Sequence, residues 1–414
     1  MLRDPKVHAP PLGSSLGWLL AGNAFYAACQ WGILIGLARL GGTGMVGEYS
    51  LALALSAPIF MLTNLQLSGL IATDGQQQYP FSTYCRVRVW ASSGAVVAAM
   101  GVALLWQVPL PTFLVVTLVA VSKAVESGSD LYYGLLQQSD RMREVAASQA
   151  LRGGGAILAL VGAIVITGSL PFGILGMVAL WGLALVVHDR AVSRPSVRRS
   201  NSITERSGTA WDIVRVAWPL GAAAMLISMN ASVPRLFVDR WLGSDALGVF
   251  AAMAYFVVGG RMLAVPVAQA AAPRFGRLRA QGDRKGFQRL LIWISCGLAA
   301  FGLIGVLGAA FYGQWILATL FGRSFAEQSS VLVILMAAGA MGFQSTLLQT
   351  AALAHRNLRP QFVVMAASLA STIILSMWLI PRLGLPGAAW AVLAAGLVEF
   401  GGSVGLIRGR RYPA

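Results

Sequence analysis

Lys123, Glu126 and Asp130 share one face of an apolar run at the spacing i, i+3, i+7, and Tyr133 and Gln137 continue that face. A charge near the centre of a membrane helix costs at least ~2.5 to 3.5 kcal/mol, so a stripe of this kind faces other helices or an aqueous cavity and not lipid. Two kinds of chemistry fit it. Asp130 or Glu126 can take up a proton or Na⁺ while Lys123 meets an anionic ligand; alternatively Lys123 and Glu126 neutralise each other and only hold the helix in its bundle. Arg152 and Arg261 also lie inside apolar runs, with no acidic residue within a helical turn. The planar guanidinium fork pairs bidentately with phosphate oxygens, which makes both candidate anion ligands. Arg152 is near enough to the end of its run to snorkel into water. For Arg261 the structural alternative is an ion pair with Glu399, midway along the last apolar run.

Neutral polar residues are scattered through the same runs: Asn23, Gln30, Asn64, Gln66, Asn230, Gln344 and Gln349. Most are expected to make interhelical hydrogen bonds, with Asn64 and Asn230 retained as substrate-binding candidates. Pro58, Pro219, Pro234 and Pro266 are expected either to break helices at hinges or cavities or simply to kink them. There is no phosphate-binding G-x-x-x-x-G-K-[ST] loop, no nucleophile elbow and no paired Cys or His ligands. Cys29, Cys85 and Cys296 have no metal-ligand spacing and read as packing residues. An enzyme and an ATP-driven pump are therefore disfavoured. No cofactor or metal is expected, and the candidate coupling ions are a proton or Na⁺.

The elements that must carry these residues are membrane helices. With 57% hydrophobic and 11% charged residues among 414, the chain has too few charges to coat a soluble protein of its size. Runs of crossing length recur at 15–37, 46–72, 84–106, 111–136, 145–167, 170–187, 212–238, 246–271, 290–312, 328–353, 361–380 and 386–407, an all-α polytopic reading with about twelve spans. The first run lacks a small-residue cleavage site, so it is expected to stay in the mature protein. The net charge of +16 would suggest nucleic acid in a soluble protein; here it follows the loops, and no nucleic-acid partner is expected. With the N-terminus inside, Lys and Arg gather in the segments on that side, from Arg3 and Lys6 through Arg86, Arg88, Arg141, Arg190, Arg277 and Arg284 to Arg411. The other side holds Arg39, Arg235, Arg240, Arg323 and Arg382. This bias puts both termini in the cytoplasm. The Ser/Arg-rich stretch SRPSVRRSNSITERSG after the sixth run reads as a flexible linker at 189–211, between an N-terminal lobe at 1–188 and a C-terminal lobe at 212–414. The lobes echo each other: Gly42, Gly47 and Tyr49 match Gly243, Gly248 and Phe250 at one offset, and Gly173 and Gly176 match Gly384 and Gly387 at another. Six spans per half make this a parallel repeat.

The stretch RLGGTGMVGEYSLALALSAPIFMLTNLQLSGLIATD resembles the opening hairpin of polysaccharide flippases in the multidrug/oligosaccharidyl-lipid/polysaccharide exporter superfamily. YYGLLQQSDRMREVAASQALRG, ISMNASVPRLFVDRWLGSDALGVFAAMAYF and LGLPGAAWAVL extend the resemblance over nearly the whole chain. It implies two pseudo-symmetric six-helix lobes around a central cavity in the bacterial inner membrane. It also implies alternating access that carries an undecaprenyl-pyrophosphate-linked oligosaccharide from the cytoplasmic to the periplasmic leaflet. Carried onto this chain, Arg261, Arg152 and Lys123, with Arg39 and Arg235 at the outer mouth, face the pyrophosphate; Asp130, Glu126 and Glu399 are the ion-coupling candidates. Besides the lipid-linked oligosaccharide and the bilayer, a polysaccharide polymerase or glycosyltransferases are further candidate partners. The length leaves no room for the extra C-terminal helices of lipid II flippases, which counts against that substrate. A drug/cation antiporter of the same superfamily would want an acidic cavity, whereas the buried set is three basic against three acidic residues. A non-transporting scaffold of a polysaccharide assembly complex would not need such charges, and an integral glycosyltransferase would need a larger extramembrane loop.

Overall fold

The structure, a computed structural model, describes residues 12–74, 78–202, 209–353 and 359–408. Both chain ends, the middle of the expected linker at 203–208, and Arg356 lie outside the described residues, and with them part of the cationic signal. Within them every element is helical. The chain forms α1 (Leu12–Thr63), α2 (Leu67–Thr73), α3 (Phe81–Leu105), α4 (Leu110–Gln138), α5 (Met142–Thr167) and α6 (Leu170–Leu183). A π-helical turn (Ala184–Asp189) follows, then α7 (Arg190–Ser202), α8 (Ala210–Leu242), α9 (Ser244–Ala280) and α10 (Arg284–Leu320). The last elements are α11 (Arg323–Ala326), α12 (Ser329–Leu353), α13 (Arg359–Leu383) and α14 (Leu385–Arg408).

Eleven helical stretches among the described residues are long and apolar enough to cross a membrane. The first, Leu20–Thr73, has 54 residues; at 1.5 Å per residue it is roughly 80 Å long, against a hydrocarbon core of roughly 30 Å. It therefore holds two crossings, and the total is the twelve expected from the sequence. The protein is a multi-pass α-helical membrane protein.

Of the two readings of the prolines, a break in the helix is not the one seen. Pro58, Pro219, Pro234 and Pro266 all sit inside continuous helix. α1 is broken instead at Gly42, whose φ of 68° and ψ of −164° are open only to a residue without a Cβ. It ends at Thr63, and in the turn that follows Leu65 and Gln66 both adopt left-handed backbone, at φ 52° and 50°. Such conformations in non-glycine residues cost of order 1 to 3 kcal/mol each and persist where the surroundings enforce them.

The helices divide into two compact units: Met1–Gly36 with Leu55–Met225, and Leu37–Ala54 with Leu226–Ala414. These units depart from the expected lobes, since the middle of α1, Leu37–Ala54, groups with the second unit and the first half of α8 with the first. The stretch read as a flexible linker is also corrected, because residues 190–202 of it form α7. Its polar composition hid a docked face: Ser193 and Ser200 are buried, and the Val192 carbonyl accepts a hydrogen bond from Arg141 Nη1 at 2.8 Å.

The first internal echo is realised inside the second unit. Gly243 has φ 85° and ψ 174°, nearly the backbone of Gly42. A Cβ on Gly47 would strike the Ser244 carbonyl, and one on Gly248 the Thr43 carbonyl. Each glycine thus lies against the residue equivalent to the one its partner meets, a two-fold crossing of backbone on backbone. The second echo has a different register. The turn glycines are Gly168 (φ 66°) between α5 and α6 and Gly384 (φ 65°) between α13 and α14, whereas Gly173 and Gly176 lie within α6.

Candidate functional site

In the first unit, α4 brings its stripe against α1, α3 and α5. Glu126 is the hub: Lys123 Nζ donates to Oε2 at 2.7 Å, Tyr26 OH donates to Oε1 at 2.9 Å, and Arg152 Nη2 lies 3.1 Å from Oε1. Arg152 is 3% exposed. Its guanidinium packs over the rings of Trp181 at 4.8 Å, Tyr26 at 5.6 Å and Tyr133 at 5.8 Å, and Nη1 donates to Tyr133 OH at 3.2 Å. Arg152 does not take the route to water that its place near the end of the run leaves open. A carboxylate and three aromatic faces solvate it instead.

One turn along α4, Arg88 Nη1 and Ser127 Oγ both donate to Asn64 Oδ1 at 2.6 Å, and Arg88 Nη2 lies 3.9 Å from Asp130 Oδ2. The left-handed break after α1 is what aims Asn64 at this pair. Asp130 is 41% exposed, Arg88 only 4%. Arg88 had been counted among the cytoplasmic loop cations; it belongs to the buried network, because α3 begins at Phe81 and carries Cys85, Arg88 and Ser92 on one face. Tyr26, likewise overlooked, follows Asn23 and precedes Gln30 at helical spacing. Those two spacings were the available signals. Ser148, which shares a 2.7 Å hydrogen bond with Tyr133, had none.

In the second unit, α8, α9, α12 and α14 enclose a cavity of about 180 Å³ whose polar lining includes Asn230, Arg235, Arg261, Gln349 and Glu399. Gly260 lets Phe343 close against α9, which fixes Arg261 at the cavity wall. Arg235 joins Arg261 there, whereas the sequence had put it at an outer mouth; its buried Nε has no hydrogen-bond partner among the described residues. Arg261 and Glu399 line the same space but form no ion pair. Gln349 Nε2 instead donates to Glu399 Oε1 at 2.8 Å. Asn230 is committed to α13: Nδ2 donates to Ser368 Oγ at 2.9 Å and Oδ1 accepts from Thr372. Gln344 similarly ties α12 to α10 through Ser295 at 2.7 Å.

Arg39 is elsewhere. It donates to the carbonyls of Ala318, Thr319 and Leu320, satisfying the orphan acceptors at the end of α10 and placing a cation at the negative end of its dipole. Among the described residues no His, Cys, Asp and Glu cluster could hold a metal.

No family model matches the chain. It is 24% identical over 385 residues to the capsular polysaccharide biosynthesis protein CapF of Staphylococcus aureus, covering 91% of this chain and 94% of CapF. Among solved structures, the lipid II flippase MurJ in an inward closed conformation superposes with a TM-score of 0.75 at 13% identity, over 94% of this chain and 86% of MurJ. An inward-facing MATE-family multidrug transporter of the MOP superfamily gives 0.65 at 12% identity, over 96% and 94%. The MATE transporter VcmN of Vibrio cholerae gives 0.65 at 15%, over 97% of each chain. The chain shares the fold of these transporters. These solved neighbours are a flippase and transporters, not enzymes.

Proposed function

We propose that the chain is a flippase that carries a lipid-linked oligosaccharide across a bacterial inner membrane for polysaccharide assembly, from the cytoplasmic to the periplasmic leaflet. The observation that supports this most is the cavity of the second unit. It presents Arg261 and Arg235 without a carboxylate partner, while Glu399, its one acidic lining residue, is occupied by Gln349. A site of this polarity attracts a diphosphate and repels a cationic drug. The carboxylates of the first unit point the same way, since Glu126 is covered by two cations and Asp130 faces Arg88. The likeness to CapF supports a polysaccharide setting, and that to MurJ supports a lipid-linked cargo.

The test is reconstitution in vesicles with undecaprenyl-pyrophosphate-linked oligosaccharide, scoring the sugar in the outer leaflet with an impermeant reagent. The wild-type protein should transfer label-accessible sugar between leaflets. Failure to do so, together with proton-driven efflux of a cationic dye, would replace the flippase by an antiporter.

A further inference from the structure

α7 carries Arg190, Arg194 and Arg198 at i, i+4, i+8, so three guanidinium groups share one helical face. The opposite face is docked through buried Ser193 and Ser200, with Ser196 Oγ 3.2 Å from Ser139 Oγ. At its end, Asn201 Oδ1 accepts from the Ser82 backbone amide at 3.2 Å. The arginine face opens on a cavity of about 490 Å³, whose other walls include Phe81, Cys85, Tyr132 and Val197. None of the three arginines forms an ion pair among the described residues. Like charges one turn apart repel, and Pro195 lowers helix propensity further. A helix so composed gains from an anion held on that face. Its position says which anion: α7 follows directly on the α6 crossing and faces the first turns of α3, at the level where the crossings meet water. The lining combines an apolar, aromatic floor with a cationic rim, which matches a phosphate headgroup at the rim and the start of an acyl chain beneath it. Basic pockets between membrane helices on the cytoplasmic side recognise lipid headgroups in this way.

We propose that α7 and the facing ends of α3 and α4 hold the phosphate headgroup of an anionic phospholipid, at a site separate from the cavity of the second unit. The inference does not rest on the identity of the transported molecule.

The test titrates the full chain, in neutral-lipid nanodiscs, with dioctanoyl phosphatidylglycerol or dioctanoyl phosphatidylcholine and reads bound lipid by native mass spectrometry. Phosphatidylglycerol should bind selectively. The triple variant Arg190→Gln, Arg194→Gln, Arg198→Gln should lose about a hundredfold in phosphatidylglycerol affinity, and the triple Lys variant should keep most of it. If the Gln triple unfolds, Arg194→Gln alone should still lower affinity severalfold while phosphatidylcholine binding stays constant. Equal binding of the two lipids, or undiminished phosphatidylglycerol binding by Arg194→Gln and by a folded triple variant, would overturn the site. Inorganic pyrophosphate or undecaprenyl pyrophosphate binding there more tightly than phosphatidylglycerol would overturn the phospholipid assignment.

Discussion

Arg152 and Arg261 have the same side chain at membrane depth and opposite surroundings, which separates their expected phenotypes. Arg152 is solvated by Glu126 and three aromatic rings. Arg152→Ala would leave Glu126 with Lys123 as its one cationic partner and empty the ring cage, so it should destabilise the protein by about 3 to 5 kcal/mol, read as a lowered unfolding midpoint in detergent. An unchanged midpoint would return Arg152 to the list of substrate ligands. Arg261 has no such partner, and Glu399 is already bonded to Gln349. Arg261→Ala should therefore leave stability within about 0.5 kcal/mol and abolish glycan export. Arg261→Lys should restore export only in part, because a point charge lacks the bidentate fork, and Glu399→Gln should be mild. Rescue of Arg261→Ala by Glu399→Gln would instead reveal a structural pair. The α4 stripe was legible in the sequence because its charges share one helix. The choice between pairing and binding was not, since Tyr26, Trp181 and Arg88 come from three other helices and only the fold brings them together.

At the scale of the helix, positions set by backbone geometry decide more than the prolines do. The crossing of Thr43–Gly47 with Ser244–Gly248 leaves no room for a Cβ at either glycine. Gly47→Val or Gly248→Val should pry the crossing apart and destabilise the protein by at least the 1 to 3 kcal/mol typical of overpacking, while Gly42→Ala should cost through its positive φ alone. A Gly47→Val variant with wild-type unfolding and export would show that this crossing is dispensable. The glycine echo predicted the equivalence of these segments correctly, because both ends of the match needed the same backbone. The Gly173 and Gly384 echo misled by register, because one glycine serves helix packing and the other a turn. α7 escaped notice for a third reason: Ser and Arg dominate its sequence, and its helical state depends on docking rather than propensity.

For the molecule as a whole, crossing number was the most legible property, because about twenty apolar residues in a row admit few alternatives. The division into compact units was less so, since two helices change unit midway and no local signal marks where. Orientation rests on the loop cations, and it fixes which face of α7 and which ends of α9 and α10 meet the cytoplasm. Arg277, Arg279, Arg284 and Lys285 flank the turn at Gln281, whereas the turn at Gly168 has no Lys or Arg within five residues on either side. A short loop that retains such a cluster stays inside. In a background with Cys29, Cys85 and Cys296 replaced by Ser or Ala, Gln281→Cys should resist a membrane-impermeant maleimide in intact cells and react once the membrane is opened. Thr167→Cys, exposed at the end of α5, should react in intact cells. Because α5 and α9 are fixed in the same chain, the two sites must answer oppositely whichever way the protein inserts. Labelling of Gln281→Cys with protection of Thr167→Cys would invert the orientation, and with it the leaflet that α7 borders and the direction of transport assigned to the cavity.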